Sequence, residues 1–270
     1  MNPNELEKFF TERAATCDER EWARAHEALL AGLESGAVRA ASPTDGGEWQ
    51  VHAWVKQAIL LGFKRSGIVA YEGPGFPAFD KAAYPPRALQ PDDGVRLVPG
   101  GSAIRRGAHL ARGVVVMPPA YVNVGAFVGE GTMVDSHALV GSCAQVGARV
   151  HLSAGAQLGG VLEPVHARPV VVEDDVFVGA LAGVFEGVRV GRRAVLAAGV
   201  VLTASSTIHD LVHGTTWRGQ VPEGAVVVPG ARPASGDYAR AHGLSLATPV
   251  IVKYRDDRTD AATALEQALR

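Results

Sequence analysis

The sequence predicts a mainly β protein: a left-handed parallel β-helix of hexapeptide repeats, with an α-helical N-terminal domain and a small C-terminal α/β extension. Three observations carry this. An aliphatic residue recurs at every sixth position between Ile104 and Ile208, a small or β-branched residue follows it four places later, and 32 glycines occur without low complexity. A period of six fits neither an α-helix nor an ordinary strand. It fits a triangular prism in which each hexad forms one flat side.

Residues 1–100 hold the predicted helical domain and its linker. Leu6, Phe9 and Phe10 form one apolar group at helical spacing, and Trp22, His26, Leu29, Leu30 and Leu33 form a second. Trp54, Ala58, Ile59 and Leu61 form a third, which Gly67 is expected to end after Lys64 and Arg65. From Gly73 to Gly101 the density of proline and glycine predicts an irregular connection.

Residues 101–232 hold the predicted prism. The aliphatic series runs Ile104, Leu110, Val116, Val122, Val128, Val134, Val140, Val146, Leu152 and Leu158. After a two-residue slip in phase it resumes at Val172, Val178, Val184, Val190, Leu196, Leu202 and Ile208. The aliphatic side chain points inward, the small residue (Ala108, Ala126, Ala144, Ala156) fills the corner, and glycine in the fourth place supplies the positive φ of the turn. With coils about 4.8 Å apart, the hexads build a prism roughly 27 Å long. Residues 233–270 form the extension: Thr248 to Tyr254 reads as a strand and Ala261 to Leu269 as a terminal helix.

Composition excludes several functions. A formal net charge of −2 gives no electrostatic case for nucleic acid or an anionic membrane. The most apolar stretch, Ala53 to Phe63, is short and carries Lys56, so it reads as a core helix and not a membrane span. Two cysteines, Cys17 and Cys143, and a start without a basic or apolar leader fit a soluble protein of the reducing cytoplasm.

A scaffold does not fix a function, and hexapeptide prisms host acyltransferases, sugar-nucleotide enzymes, zinc hydratases and antifreeze proteins. Two local features point to catalysis. Val134-Asp-Ser-His137 sets an acid and an imidazole on one corner, and Gly159-Gly-Val-Leu-Glu-Pro-Val-His-Ala-Arg-Pro169 is a loop thrown out of an unbroken repeat. His209 and His213 stand four apart, but off a helix that spacing does not share a face and no third ligand suggests itself, so no metal is expected. Cys143, beside a corner alanine, reads as a small buried hydrophobe. Glu163 and Glu186 read as turn residues, and Arg105 and Arg106 as solvated charges or as contacts for an acceptor or a phosphate.

Several runs carry a more specific likeness: Val116-Met-Pro-Pro-Ala-Tyr-Val-Asn-Val-Gly-Ala126, Glu130-Gly-Thr-Met-Val-Asp135, Val140-Gly-Ser-Cys-Ala-Gln145, Val150-His-Leu-Ser153, Gly159-Gly-Val-Leu-Glu-Pro164 and Val221-Pro-Glu-Gly-Ala-Val-Val-Val228. In these the chain resembles the tetrahydrodipicolinate N-succinyltransferases of bacterial lysine and diaminopimelate biosynthesis, along its whole length. The resemblance implies a homotrimer with sites between adjacent prisms, and succinyl-CoA as donor, with acetyl-CoA compatible. It implies Asp135 as catalytic base or proton-binding anchor. Arg96, Asp135, His137, Ser153 and Leu181 would contact the acceptor, and Gly160, Ala180 and Ala198 the coenzyme.

The chain also departs from the family. Where the family reads Gly-Ala-Arg-Ser-Glu, this chain has Gly179-Ala-Leu-Ala-Gly183; His137 replaces a tryptophan, and Ala154-Gly-Ala-Gln157 replaces a glycine-rich run. Three readings follow. The chain acylates tetrahydrodipicolinate, or a smaller amino or hydrazino acid such as hydrazinoacetic acid, or it is a catalytically silent prism. The loss of Arg-Ser-Glu favours the second. Retention of Arg96, Asp135 and the Gly-Gly-Val-Leu-Glu-Pro loop argues against the third.

Overall fold

The computed structural model describes residues 1–71 and 77–256. The chain opens with helix α1 (Pro3–Lys8), capped by Asn2 and Glu5 in a reciprocal capping box and continued by a wider π turn over Phe9–Arg13. Helix α2 (Glu19–Ser35) starts on the Asp18 side chain and stops at Gly36, whose φ of 78° is the left-handed cap of the helix end. Helix α3 (Ala53–Arg65) stops at Ser66 in extended conformation, one residue before the expected Gly67. The three apolar groups meet in one core of Leu6, Phe9, Phe10, Trp22, Leu29, Leu30, Leu33, Trp54 and Ile59. A short antiparallel hairpin pairs Ala41–Pro43 with Trp49–Val51, and a second pairs Ile68–Tyr71 with Ala78–Lys81, so the expected irregular connection contains a strand.

The prism is the left-handed parallel β-helix that the six-residue period predicts. Its first face stacks Arg96–Leu97, Val115–Val116, Met133–Val134, His151–Leu152, Phe177–Val178 and Val195–Leu196. The second face stacks Ala103–Ile104, Tyr121–Val122, Leu139–Val140, Gln157–Leu158, Gly183–Val184 and Val201–Leu202. The third stacks His109–Leu110, Phe127–Val128, Gln145–Val146, Val171–Val172, Arg189–Val190 and Gln220–Val221. Each strand is two residues long, and from Ile104 onward the second residue of each points into a core of Val, Leu, Ile and corner Ala, while Leu97 at the open low end stays exposed. Burying such a side chain contributes about 1.5–3 kcal/mol, and the stack repeats that gain coil after coil.

Three departures from the sequence reading are physical. Leu158 and Val172 lie fourteen positions apart where neighbouring hexads lie six apart, so the slip in phase is an eight-residue insertion, the loop that leaves the corner after Leu158. Arg96–Leu97 already pairs with Val115–Val116 on the first face. Ile208 keeps the phase and is buried but does not form a face. It belongs to Ile208–Asp210, which pairs with Thr215–Trp217 and with the C-terminal strand, while Gln220–Val221 occupies its place in the prism. The last strand of the first face, Ala225–Pro233, is covered by the antiparallel return of Ser245–Tyr254, with helix α4 (Asp237–Ala241) between them. The expected helix over Ala261 to Leu269 lies outside the described residues. Among the described residues no helix is long and apolar enough to cross a membrane.

The helical part packs on the third face. His109 Nδ1 lies 2.8 Å from the Glu34 carbonyl, Arg39 Nε donates to Gln145 at 2.9 Å, and Trp49 Nε1 donates to Glu173 at 3.1 Å. Arg106 makes a two-pronged pair with Glu27 and a further bond to Glu34, and Arg105 pairs with Asp80. Arg106 is therefore fastened to α2 and Arg105 to the second hairpin, so neither is the solvated charge that the sequence suggested.

Candidate active site

Seven of the eight site residues that the sequence proposed fall along one edge of the prism, at or beside the corner between the first and second faces. Arg96 stands on the first face at the low end; Asp135 and His137 form the corner two coils higher; Ser153, then Ala180 and Leu181, then Ala198 occupy the next three coils. Residues this far apart in sequence align because each coil returns the chain to the same corner. Backbone bonds stitch the corners together: His137 N to the Pro119 carbonyl at 2.5 Å, Gly155 N to Ser136 at 2.8 Å, Leu181 N to Ala154 at 3.0 Å and Gly199 N to Ala180 at 2.9 Å. Gly160 is the exception. It stacks on Ser142 at the corner between the second and third faces, one face away within the same chain.

Asp135 is half-buried. Its Oδ1 accepts from Ser136 N at 2.7 Å, a local side-chain-to-backbone bond that orients the carboxylate at the corner. His137 has φ 62° and is exposed, as its turn place in the hexad requires. Ser153 is buried, and its backbone N donates to Val178 at 2.9 Å. Leu181 (φ 58°) is 74% exposed, and its side chain drapes over Gly155 of the coil below.

The structure adds two residues that the sequence reading did not single out as site residues. Gln157 Nε2 donates to the carbonyls of His137 and Gly155, both at 3.0 Å, and so ties two corner coils together. Phe185 lies against Gly159 and Gly183, where a Cβ at Gly159 would come within 2.7 Å of its ring and one at Gly183 would overlap it. A glycine on the outward side of a strand marks such a close approach, and Gly183 was the available signal. Ala182, by contrast, is fully buried in the prism core. It does not line a wall, so the hydroxyl expected there by likeness to the family would point inward. Of the three replaced residues, Leu181 and Gly183 are the outward ones.

The insertion is held at both limbs. Val161 N donates to the Ser142 carbonyl at 3.1 Å. Lys56 of α3, fully buried, donates through Nζ to the Ala167 carbonyl at 2.5 Å, and burial lowers its pKa. Arg168 donates to the Gly187 and Gly219 carbonyls, each at 2.8 Å. The loop is thus fixed to the prism and to the helical part together.

At the upper end of the corner, beside Ala198, a cavity of about 300 Å³ is lined by Gly199, Ser205, Ser206, Thr207, Gly230 and Arg232 among others. Its hydroxyls and guanidinium can bind an anion. Glu186 (φ 53°) accepts from Ala204 N at 3.1 Å, a turn role. Cys143 is fully buried, and burial pushes its thiol up to about 12, which makes it inert as a nucleophile at neutral pH. His213 Nδ1 lies 2.9 Å from Asp210 Oδ2. Burial alone would raise the Asp210 carboxyl, but bonds from His213, Tyr254 and the backbone hold it well below the usual carboxylate range. Among the described residues no group of three or more His, Cys, Asp or Glu forms a metal site.

Comparison with known proteins shows the family. Residues 3–64 match the model of the tetrahydrodipicolinate N-succinyltransferase N-terminal region, and residues 169–204 match the hexapeptide repeat of succinyl-transferases. The chain is 46% identical over 244 residues to a 2,3,4,5-tetrahydropyridine-2,6-dicarboxylate N-succinyltransferase of Nitrobacter winogradskyi, covering 88% of this chain and 86% of that one. It is 48% identical over 248 residues to the protein of the same name from an Azoarcus species, covering 90% and 87%. A hexapeptide-repeat-containing acetyltransferase of Vibrio cholerae, solved with acetyl coenzyme A, matches at a TM-score of 0.35 and 14% identity, covering 94% of this chain and 99% of that chain.

Proposed function

We propose that this chain, which belongs to the tetrahydrodipicolinate N-succinyltransferase family of acyl-CoA-dependent N-acyltransferases, carries a succinyl group from succinyl-CoA to the nitrogen of a small acceptor with one carboxylate, a hydrazino acid such as hydrazinoacetic acid or a small amino acid. The observation that carries this reading is Leu181. An exposed apolar side chain lies across the corner above Asp135 and His137, at the position where likeness to the family leads one to expect an arginine. An acceptor bearing a second carboxylate would forgo a charge-assisted hydrogen bond there, worth roughly 1.5–3 kcal/mol.

In this mechanism the acceptor nitrogen attacks the thioester carbonyl, a C–N bond forms, the C–S bond breaks, and the thiolate of coenzyme A leaves. Asp135 accepts the proton that the nitrogen sheds, or holds the amine in its unprotonated orientation. A hydrazine is less basic than an alkylamine and depends less on a second base, which fits an edge whose neighbouring acid position is Gly183 beneath the Phe185 ring. Arg96, His137 and Ser153 line the acceptor's approach along the corner. Ala180 and Ala198 have the small side chains that a pantetheine arm needs to lie flat, and the Ser205–Thr207 cavity with Arg232 suits the phosphates at its far end. Gly160, one face away, meets the same site only if a second prism is apposed, which supports a homotrimer.

Thiol release with succinyl-CoA and acetyl-CoA, in competition between tetrahydrodipicolinate and a panel of hydrazino and small amino acids, tests the reading. The small acceptors should win in kcat/KM, and Leu181→Arg should move the preference toward the dicarboxylate by about tenfold, about 1.4 kcal/mol. A preference of about tenfold or more for tetrahydrodipicolinate in the unaltered protein would make it the acceptor. The 46–48% identical relatives support that second reading. Absence of thiol release with every acceptor would leave the silent prism.

A further inference from the structure

A second cavity, of about 440 Å³, opens where the hairpin of Ala41–Pro43 and Trp49–Val51 meets the third face, away from the corner described above. That volume lies within the roughly 300–1,000 Å³ usual for small-molecule sites. Arg39, Phe127 and Trp49 line it: the Arg39 guanidinium lies 3.7 Å over Phe127 and 5.6 Å from the Trp49 ring, and His109, outside the cavity, stacks on Phe127 at 4.4 Å in a near-parallel plane. Stacking fixes the plane of the guanidinium, and Nε is committed to Gln145. The terminal N–H groups of Arg39 make no hydrogen bond with the described residues, and none of the described carboxylates forms an ion pair with it. A planar fork held in place with its prongs open is the geometry that receives a carboxylate through two bonds.

The acids of the cavity are unequal. Glu173 is fully engaged, accepting from Trp49 Nε1, Arg189 Nε and Arg192 N. Asp174 uses Oδ1 for Ala148 N, while its Oδ2 stands 3.8 Å from Arg149. The exposed Glu130 side chain makes no hydrogen bond with the described residues. A simple anion would meet these two acids, and a simple cation would meet Arg39 and Arg192. A dipole satisfies both sides.

We infer that this cavity is a second small-molecule site, that its ligand is a free α-amino acid, and that the carboxylate sits on the Arg39 fork with the ammonium toward Asp174 and Glu130. The occupant would bridge the hairpin and the prism. Burial lowers Arg39 to about 10 against the opposing pull of Asp174, which leaves it charged at neutral pH. The inference does not depend on the acceptor proposed for the corner.

Calorimetric titration of the full chain with the common L-amino acids, one at a time and without acyl donor, tests it. At least one should bind saturably, and its N-acetyl derivative and its decarboxylated amine should not. Arg39→Lys, which keeps the charge and loses the fork, should weaken binding by about tenfold or more, and Glu130→Gln should do the same. Thiol release by Glu130→Gln should match that of the unaltered protein. Glu130 is exposed, so that variant keeps the test decisive should Arg39→Lys fail to fold. The inference is overturned if no amino acid binds, if either derivative binds as well as its parent, or if a folded variant of Arg39 or Glu130 keeps full affinity. The last result would place the amino acid at the acceptor corner.

Discussion

The third face and the corner between the first and second faces are built by the same inward rule and put to opposite uses. On the third face Val128, Val146 and Val172 point in, and the outward residues are large and committed: Phe127 lies under Arg39, Gln145 is buried and bonded, and Arg189 is paired with Glu173. On the corner Val134, Leu152 and Val178 point in just as deeply, yet Ala180, Leu181 and Ala198 remain uncovered within the chain, joined to their neighbours mainly through backbone. Inward positions specify the scaffold. What a region does is written only in the residues that face outward, and there a covered face and a working edge part company.

The largest expected effect strikes the working edge. Asp135→Asn keeps shape and the bond from Ser136 N while removing the proton acceptor, so turnover should fall at least about a hundredfold with the fold intact. Near-normal turnover in a folded protein would reduce Asp135 to a turn residue and erase the contrast with the third face.

The next strikes the covering domain and should leave the edge alone. His26 is buried against Trp22 and Tyr84 with Nε2 unpartnered, and burial lowers its pKa from 6.5 to about 4. The unfolded chain therefore takes up this proton first. The stability contributed by keeping His26 neutral is complete above the unfolded value and is lost as pH falls from 6.5 toward 4, to about 3 kcal/mol in all. Denaturant titrations across that window should show the loss, and His26→Phe should flatten it. An unchanged slope in His26→Phe would assign the acid sensitivity elsewhere.

The smallest effect tests the link between the two regions. Lys56→Met deletes the bond from α3 to the Ala167 carbonyl and a costly buried ammonium with it, so global stability should change little. The loop should exchange amide hydrogens faster over residues 159–170, and kcat should drop several-fold to about tenfold through lost positioning. Unaltered exchange in that loop would show that the Arg168 bonds suffice and that the helical part does not reach the edge.

The prism was legible in the sequence because one residue in six must fit a fixed cross-section, and that constraint repeats. It misled at Ile208, where the phase persists and the side chain joins the prism core, but its strand pairs with Thr215–Trp217 and the C-terminal strand and does not stack on a face. Periodicity reports that a side chain is covered, not which strand its backbone pairs with. Ala182 could have been placed from the repeat itself, since it falls four residues after Val178, the inward corner place. Arg105 and Arg106 could not: their partners Asp80, Glu27 and Glu34 are distant in sequence, and a charge pattern does not announce a long-range pair. The corner residues were found through likeness to a family, whereas Gln157 and Phe185 needed the coordinates, because each acts on a neighbouring coil.

The parallel register has a consequence for length. Phe127 pairs with Gln145, and the coils above it that carry no insertion likewise close after eighteen residues, while the first coil, from Arg96 to Val115, takes one residue more at its corner. The coils at Asp135 and Ala198 are separated by a whole number of turns, each of about 4.8 Å. Reach along this edge is therefore quantised: a duplication or deletion of eighteen residues would shift one end of the site against the other by a single step, and nothing smaller could do so without breaking register. Even the long insertion respects this, since it leaves and rejoins the stack without altering the step. A substrate arm of different length would have to be met by a whole coil or by the chemistry at the ends.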